Sequence, residues 1–183
     1  TCELDQWLTK IYLEGGGGGQ NMESYLLAWL FAARHTSTDC FEKRAQKGFV
    51  FTIGDEWNWD QLSAADITRI TGVRQSSNVT AEQLLQEALM TNHVFHIHIN
   101  EGSYRDSDPI IKPWKKLLGE RFIKLEDHRV IAETIASAVA VVHGLDLKSV
   151  ARTFDTRTAA VVSRALAGVK SDIVKQRKGI ISL

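Results

Sequence analysis

Two adjacent carboxylates, Asp55 and Glu56, close the apolar run Gly48-Phe49-Val50-Phe51-Thr52-Ile53-Gly54. Oxygen donors of this kind suit hard divalent cations such as Mg2+ or Ca2+, which bind through a few carboxylates and retained waters. Phe49 to Ile53 is β-branched and aromatic throughout, the composition of a strand buried on both faces of a sheet. Gly54 then lets the backbone turn. In open α/β sheets ligands bind beyond the carboxyl ends of the strands, so Asp55 and Glu56 are the candidate metal ligands.

Other residues could contribute chemistry to the same edge. The strand expected over His93–Ile99 puts His96 and His98 on one face, because side chains alternate along a strand. A His-x-His pair can bind zinc if a third ligand reaches it, whereas core histidines need none. Asn100, Glu101 and Asp106 follow that strand and are expected on the rim beside Asp55. Trp57 and Trp59 follow the carboxylates directly; two tryptophans in a loop either cover the core or form an interaction surface. Gly15 to Gly19 precede a helix and could cradle an anion. No Lys-Ser/Thr pair follows them and no strand is visible before them, so neither a phosphate loop nor a dinucleotide fold is indicated. Glu23, at the start of that helix, also opposes an anion. No Ser-His-Asp order, His-Glu-x-x-His or Cys-His arrangement stands out.

Hydrophobic periodicity supplies the elements that would position these groups. Leu4, Trp7, Leu8, Ile11 and Tyr12 predict an opening amphipathic helix. Asn21 is a plausible N-cap for a second, with Tyr25, Leu26, Trp29, Leu30 and Ala33 along its face. His35 to Gln46 reads as a polar connection into strand 49–53. Ser63 with Asp66, and Thr80 with Gln83, have the spacing of helix starts capped reciprocally by side chains. Strand 93–99, a polar loop over 100–108, one or two helical turns after Pro113, strand 121–125 and a long helix over 128–143 complete the series. Helices alternating with strands at this spacing predict an α/β fold, doubly wound around a mainly parallel, Rossmann-like sheet. Only three strands are visible, so further strands are expected upstream of Thr1.

With 183 residues, 44% hydrophobic and 24% charged, the chain suits one soluble globular domain. No apolar run approaches the roughly 20 residues of a membrane span. Cys2 and Cys40 cannot by themselves build a disulfide framework or a four-ligand zinc site, which fits reduced thiols in the cytoplasm. Charge is uneven: residues 144–183 carry eight Lys/Arg against three Asp/Glu, and the remainder 14 against 19. Two units are expected, an α/β domain over 1–143 and a basic helical extension over 144–183. Residues 147–152 and 161–166 resemble part of a repressor-type helix-turn-helix. The turn glycine is missing and the spacing is one residue long, so nucleic-acid binding is not expected.

The series Gly15–Gly19, Gln20, Asn21, Met22, Glu23, Ser24, Tyr25, an aromatic helix, then Gly48 to Asp55 resembles the von Willebrand factor A-like domains of bacterial and phage proteins. The resemblance covers about residues 3–143. It implies a protein–protein interaction module with a divalent-cation site at the carboxyl edge of the sheet, whose ion completes its coordination with a partner's carboxylate. On that reading Asp55 and Glu56 face the metal. Gly18, Gly19, Gln20, Asn21, Glu23, Trp57, Trp59, Asn100 and Glu101 face the partner, for which an AAA+ ATPase is the implied class. The family's first metal motif, Asp-x-Ser-x-Ser, does not occur in this chain. A metal- or nucleotide-dependent hydrolase using the same crevice is the alternative.

Overall fold

The computed structural model describes residues 2–11 and 22–170. The elements are α1 (Cys2–Leu8), β1 (Met22–Glu23), α2 (Tyr25–Arg34), α3 (Asp39–Arg44), β2 (Gly48–Gly54), β3 (Trp57–Asn58) and β4 (Gln61–Leu62). Then follow α4 (Ala64–Thr71), β5 (Val79–Thr80), α5 (Ala81–Thr91), β6 (Asn92–Ile99), α6 (Asp108–Leu118) and β7 (Phe122–Leu125). The last helices are α7 (Ile131–Val142), α8 (Leu147–Ala151) and α9 (Thr156–Ala165).

β2, β6 and β7 form a three-stranded parallel sheet in that order, with Gly54 level with His98 and Ile99 level with Leu125. Parallel pairing requires crossovers, which α4 and α5, and then α6, provide. β6 is flanked on both sides, and its alternation divides the interior. Val94 joins a cluster with Leu26, Trp29 and Leu30 of α2, Leu84 and Ala88 of α5, and Ile110 and Trp114 of α6. Phe95 and Ile97 join Ala138 and Val142 of α7 and Val161 and Val162 of α9 on the opposite face. Helices therefore cover both faces of an α/β sheet. α9, beyond Gly144, is built into the second of these cores.

Local chemistry fixes several boundaries. Ser63 Oγ accepts the Asp66 N–H at 3.0 Å, and α4 ends at Gly72 with φ 72°. At α5 the Gln83 N–H donates to Thr80 Oγ1 and the Thr80 N–H to Gln83 Oε1, closing the reciprocal cap. α2 begins at Tyr25 with Ser24 in the cap position and no side-chain cap; Asn21, expected there, lies outside the described residues.

Three expectations need correction. The polar connection over 35–46 contains α3. Helix α6 starts at Asp108 rather than after Pro113 and carries that proline inside it. A mid-helix proline costs about 3 kcal/mol, and burial of Ile110, Ile111, Trp114 and Leu118 along one stripe offsets it. On the opening helix and the residues just past it, Trp7 and Ile11 do not pack inward; they are 62% and 55% exposed.

Two short ribbons hold the segment after β2. β1 pairs with β3, placing Glu23 beside Asn58, and β4 pairs with β5. Gly54 is the tightest point: a Cβ there would lie 1.9 Å from Tyr25 Oη and 2.8 Å from Cζ. Gly54→Ala should therefore cost about 1–3 kcal/mol through forced displacement of the ring. Urea denaturation checks this, and a variant as stable as wild type would show that Tyr25 moves freely.

Candidate functional site at the carboxyl edge of the sheet

Because the three strands are parallel, their carboxyl ends share one edge. Asp55 and Glu56 leave β2, Asn100 and Glu101 leave β6, and Glu126, Asp127 and His128 leave β7. The β1–β3 ribbon adds Glu23 to the β2 end.

The β2 end is uncompensated. Burial first, and then the charges of Asp55 and Glu23, raise the Glu56 carboxyl above its ordinary value. One Glu56 oxygen, Oε2, is buried without a hydrogen-bond partner. Burial, with smaller contributions from Glu23, Asp55 and Glu56, pushes the Tyr25 hydroxyl well above its ordinary value, and a hydrogen bond from the Glu56 backbone opposes the shift. Among the described residues no lysine, arginine or histidine forms an ion pair with Glu23, Asp55 or Glu56.

The β7 end is compensated. Arg129 forks Asp127, with Nε 2.8 Å from Oδ1 and Nη2 2.7 Å from Oδ2, and Arg157 of α9 adds a contact at 3.1 Å. The Arg129 hydrogen bonds are the main reason the Asp127 carboxyl is held far below the usual range. Glu101 Oε1 accepts the His128 N–H at 2.8 Å, and its Oε2 lies 2.9 Å from His128 Nδ1. Among the described residues, Glu101, Asp127 and His128 are the His, Cys, Asp or Glu set with ligand atoms all within 4.8 Å of one another. Two guanidinium groups already neutralise its central carboxylate, which weakens it as a cation site. The set lacking compensation, Glu23 with Asp55 and Glu56, is spaced more widely.

Asn100, expected on the binding face, is only 1% exposed. Its Nδ2 donates to Asp106 at 3.1 Å and to Glu126 at 3.3 Å, and its Oδ1 accepts the Asp106 N–H at 2.8 Å. Lys124 pairs with Asp106 as well. Asn100 thus fastens the loop and is itself covered. Gly18, Gly19, Gln20 and Asn21 lie outside the described residues.

His96 and His98 are completely buried. The His96 ring lies flat on Trp114 at 3.8 Å with 5° between planes, and Thr52 Oγ1 is 3.0 Å from its Nδ1. Burial, helped by the nearby His98, pushes His96 down to about 3. Burial lowers His98 too, while Asp55 acts in the opposite sense. Neither ring nitrogen of His98 has a hydrogen-bond partner among the described residues. Among the described residues no third His, Cys, Asp or Glu ligand stands with the pair, and the two rings pack as aromatic core pieces beneath the site.

Trp57 and Trp59 line a groove of about 490 Å³ together with Pro113, Trp114 and Leu117 of α6. Trp57 is half-buried and edge-on to Tyr104, with ring centroids 5.4 Å apart; Trp59 is 39% exposed.

Several participants were not singled out in the sequence. Asp127 and His128 follow a strand as Asp55 does, so the same edge rule applied to β7 would have found them. Arg157 gives no such signal, being 30 residues from its partner. Among the described residues no helix is long and apolar enough to cross a membrane. No protein-family model, curated protein or solved structure matches the chain.

Proposed function

We propose that the chain is a protein–protein interaction module of von Willebrand factor A type, working through the carboxyl edge of its sheet. The observation that carries this reading is the group Glu23, Asp55 and Glu56, like charges gathered without a counter-cation among the described residues. Such a group is poised to accept positive charge. Its donors are hard oxygens, which fit Mg2+ or Ca2+ better than a soft metal. An ion held by so few carboxylates would keep several of its waters, as Mg2+ does. Asp55 and Glu56 would hold the ion, and Glu23 would add charge from the side. A bound ion would supply an open coordination position for a partner's carboxylate. The resemblance suggests an AAA+ ATPase as that partner.

Among the described residues the hydroxyl–imidazole contact, Thr52 with His96, is sealed in the core, out of reach of a substrate. No observation there favours the hydrolase alternative.

Calorimetric titration with Mg2+, Ca2+ and Mn2+ tests the proposal. Saturable binding is expected in the wild type and in Glu101→Gln, and is expected to be lost in Asp55→Ala. A flat wild-type isotherm, or binding that survives Asp55→Ala and disappears in Glu101→Gln, would move the site away from β2.

A further inference from the structure

We propose that the groove between residues 57–61 and helix α6 is a second docking site of this module, independent of any metal ion, for an extended, arginine-bearing segment of a partner protein. The proposal rests on the interaction-module reading but not on its metal.

The groove's volume of about 490 Å³ lies within the range of ligand pockets. Its shape follows from its walls. On α6, Pro113 and Leu117, four residues apart, reach the surface of the groove, with Ile110 and Trp114 buried beneath them. That accessible wall is about 6 Å long, the length of roughly two residues of extended chain. The facing wall, residues 57–61, is itself extended, since β3 and β4 lie within it. A trough of this form fits a peptide better than a compact small molecule.

Its chemistry selects a cation. Trp57 and Trp59 present indole rings, the strongest aromatic partners for a positive charge. The rim carries the carboxylates of Asp60 and Glu82, and neither has an ion-pair partner among the described residues. Lys116 is the one cation on the rim. A guanidinium can stack on an indole while its fork reaches a carboxylate, a combination an ammonium reproduces less well. Acidic segments meet repulsion from Asp60 and Glu82.

Selection of phage-displayed random heptapeptides on the full chain, in parallel with Mg2+ and with EDTA, tests this. Enriched peptides are expected to share an arginine, to bind equally in both conditions, and to shift the indole Nε1–H resonances of Trp57 and Trp59. Affinity should fall by about tenfold or more in Trp59→Ala, and also in Asp60→Asn combined with Glu82→Gln. Both variants alter exposed side chains, and thermal melts confirm that they fold. Absence of enrichment, enrichment of peptides lacking a basic residue, or undiminished binding to Trp59→Ala would overturn the proposal. Arginine peptides that bind in EDTA sustain it even if calorimetry finds no metal at Asp55. A metal site at Asp55 with no selected peptide sinks the groove and leaves the carboxyl edge standing.

Discussion

Replacing Trp114 by alanine should destabilise the protein by about 3–5 kcal/mol, the range for removing a buried tryptophan. The side chain is 2% exposed. It lies flat on His96 and meets Tyr25 and Trp29 edge-on, with centroids 5.4 and 6.1 Å away. Its Nε1–H donates to the Glu56 carbonyl at 3.1 Å, so truncation also leaves that carbonyl without this donor. A loss of this size is a large share of the roughly 5–15 kcal/mol that holds a domain folded. Trp114→Phe keeps an aromatic face on His96 and gives up the N–H, so it should fall between wild type and alanine. Trp7→Ala provides the contrast: its ring is 62% exposed, and the change should stay within about 0.5 kcal/mol. Urea denaturation of the three variants decides the matter. Similar costs at Trp7 and Trp114 would mean that α6 is not seated on the sheet as described.

Stability should begin to fall as pH drops below about 6.5, above the ordinary carboxylate range. His96 is held neutral by burial, with its pKa pushed down to about 3, whereas in the unfolded chain it takes a proton near the ordinary value of about 6.5. Between those values the unfolded state binds more protons, so stability falls as pH falls. The slope is about 1.4 kcal/mol per pH unit for each such histidine, and His96 alone accounts for about 5 kcal/mol by pH 3. His98, also lowered by burial, adds in the same direction. The raised Glu56 works oppositely, since its contribution is present at low pH and lost as pH rises through its folded value. Asp127, Asp106 and Glu101 are lowered, so their stabilising effects fade only at more acidic pH. Urea midpoints at pH 7, 6 and 5 should therefore fall with the histidine slope. His96→Phe, which keeps a ring against Trp114, should remove about one proton's worth of it. An unchanged slope in that variant would show that His96 is protonated in the folded protein.

How much of this was legible depended on how local the chemistry is. The strands at 48–54, 92–99 and 122–125 stand within a residue of the apolar runs that announced them. But burial on both faces holds for β6, whereas β2, at the edge of the described sheet, is mostly half-buried with Ile53 41% exposed. The caps at Ser63 and Thr80 were equally legible, since each is settled by residues three apart. Helix α6 was misread because Pro113 looks like a start signal, and only the depth of Ile110 and Ile111 in the core explains why the helix runs through it. The short ribbons carry too few residues for any periodicity. At the site, Asp55 and Glu56 were readable from the end of one strand. The union of Glu23 with them depends on β1 meeting β3, and the neutralisation of Asp127 depends on α9 returning to β7. Both are facts of topology that no local pattern encodes.

The order of strands in the sheet, β2, β6, β7, is also their order along the chain. Each new strand therefore docks on the one made just before it, and none must be threaded between two already paired. The β6–β7 closure spans the single helix α6, while the β2–β6 closure spans the longer excursion through α4 and α5, and the entropy lost grows only slowly with such length. Assembly can thus advance in the direction of synthesis, with the hydrophobic faces of β6 sealed as α6, β7 and α7 follow it.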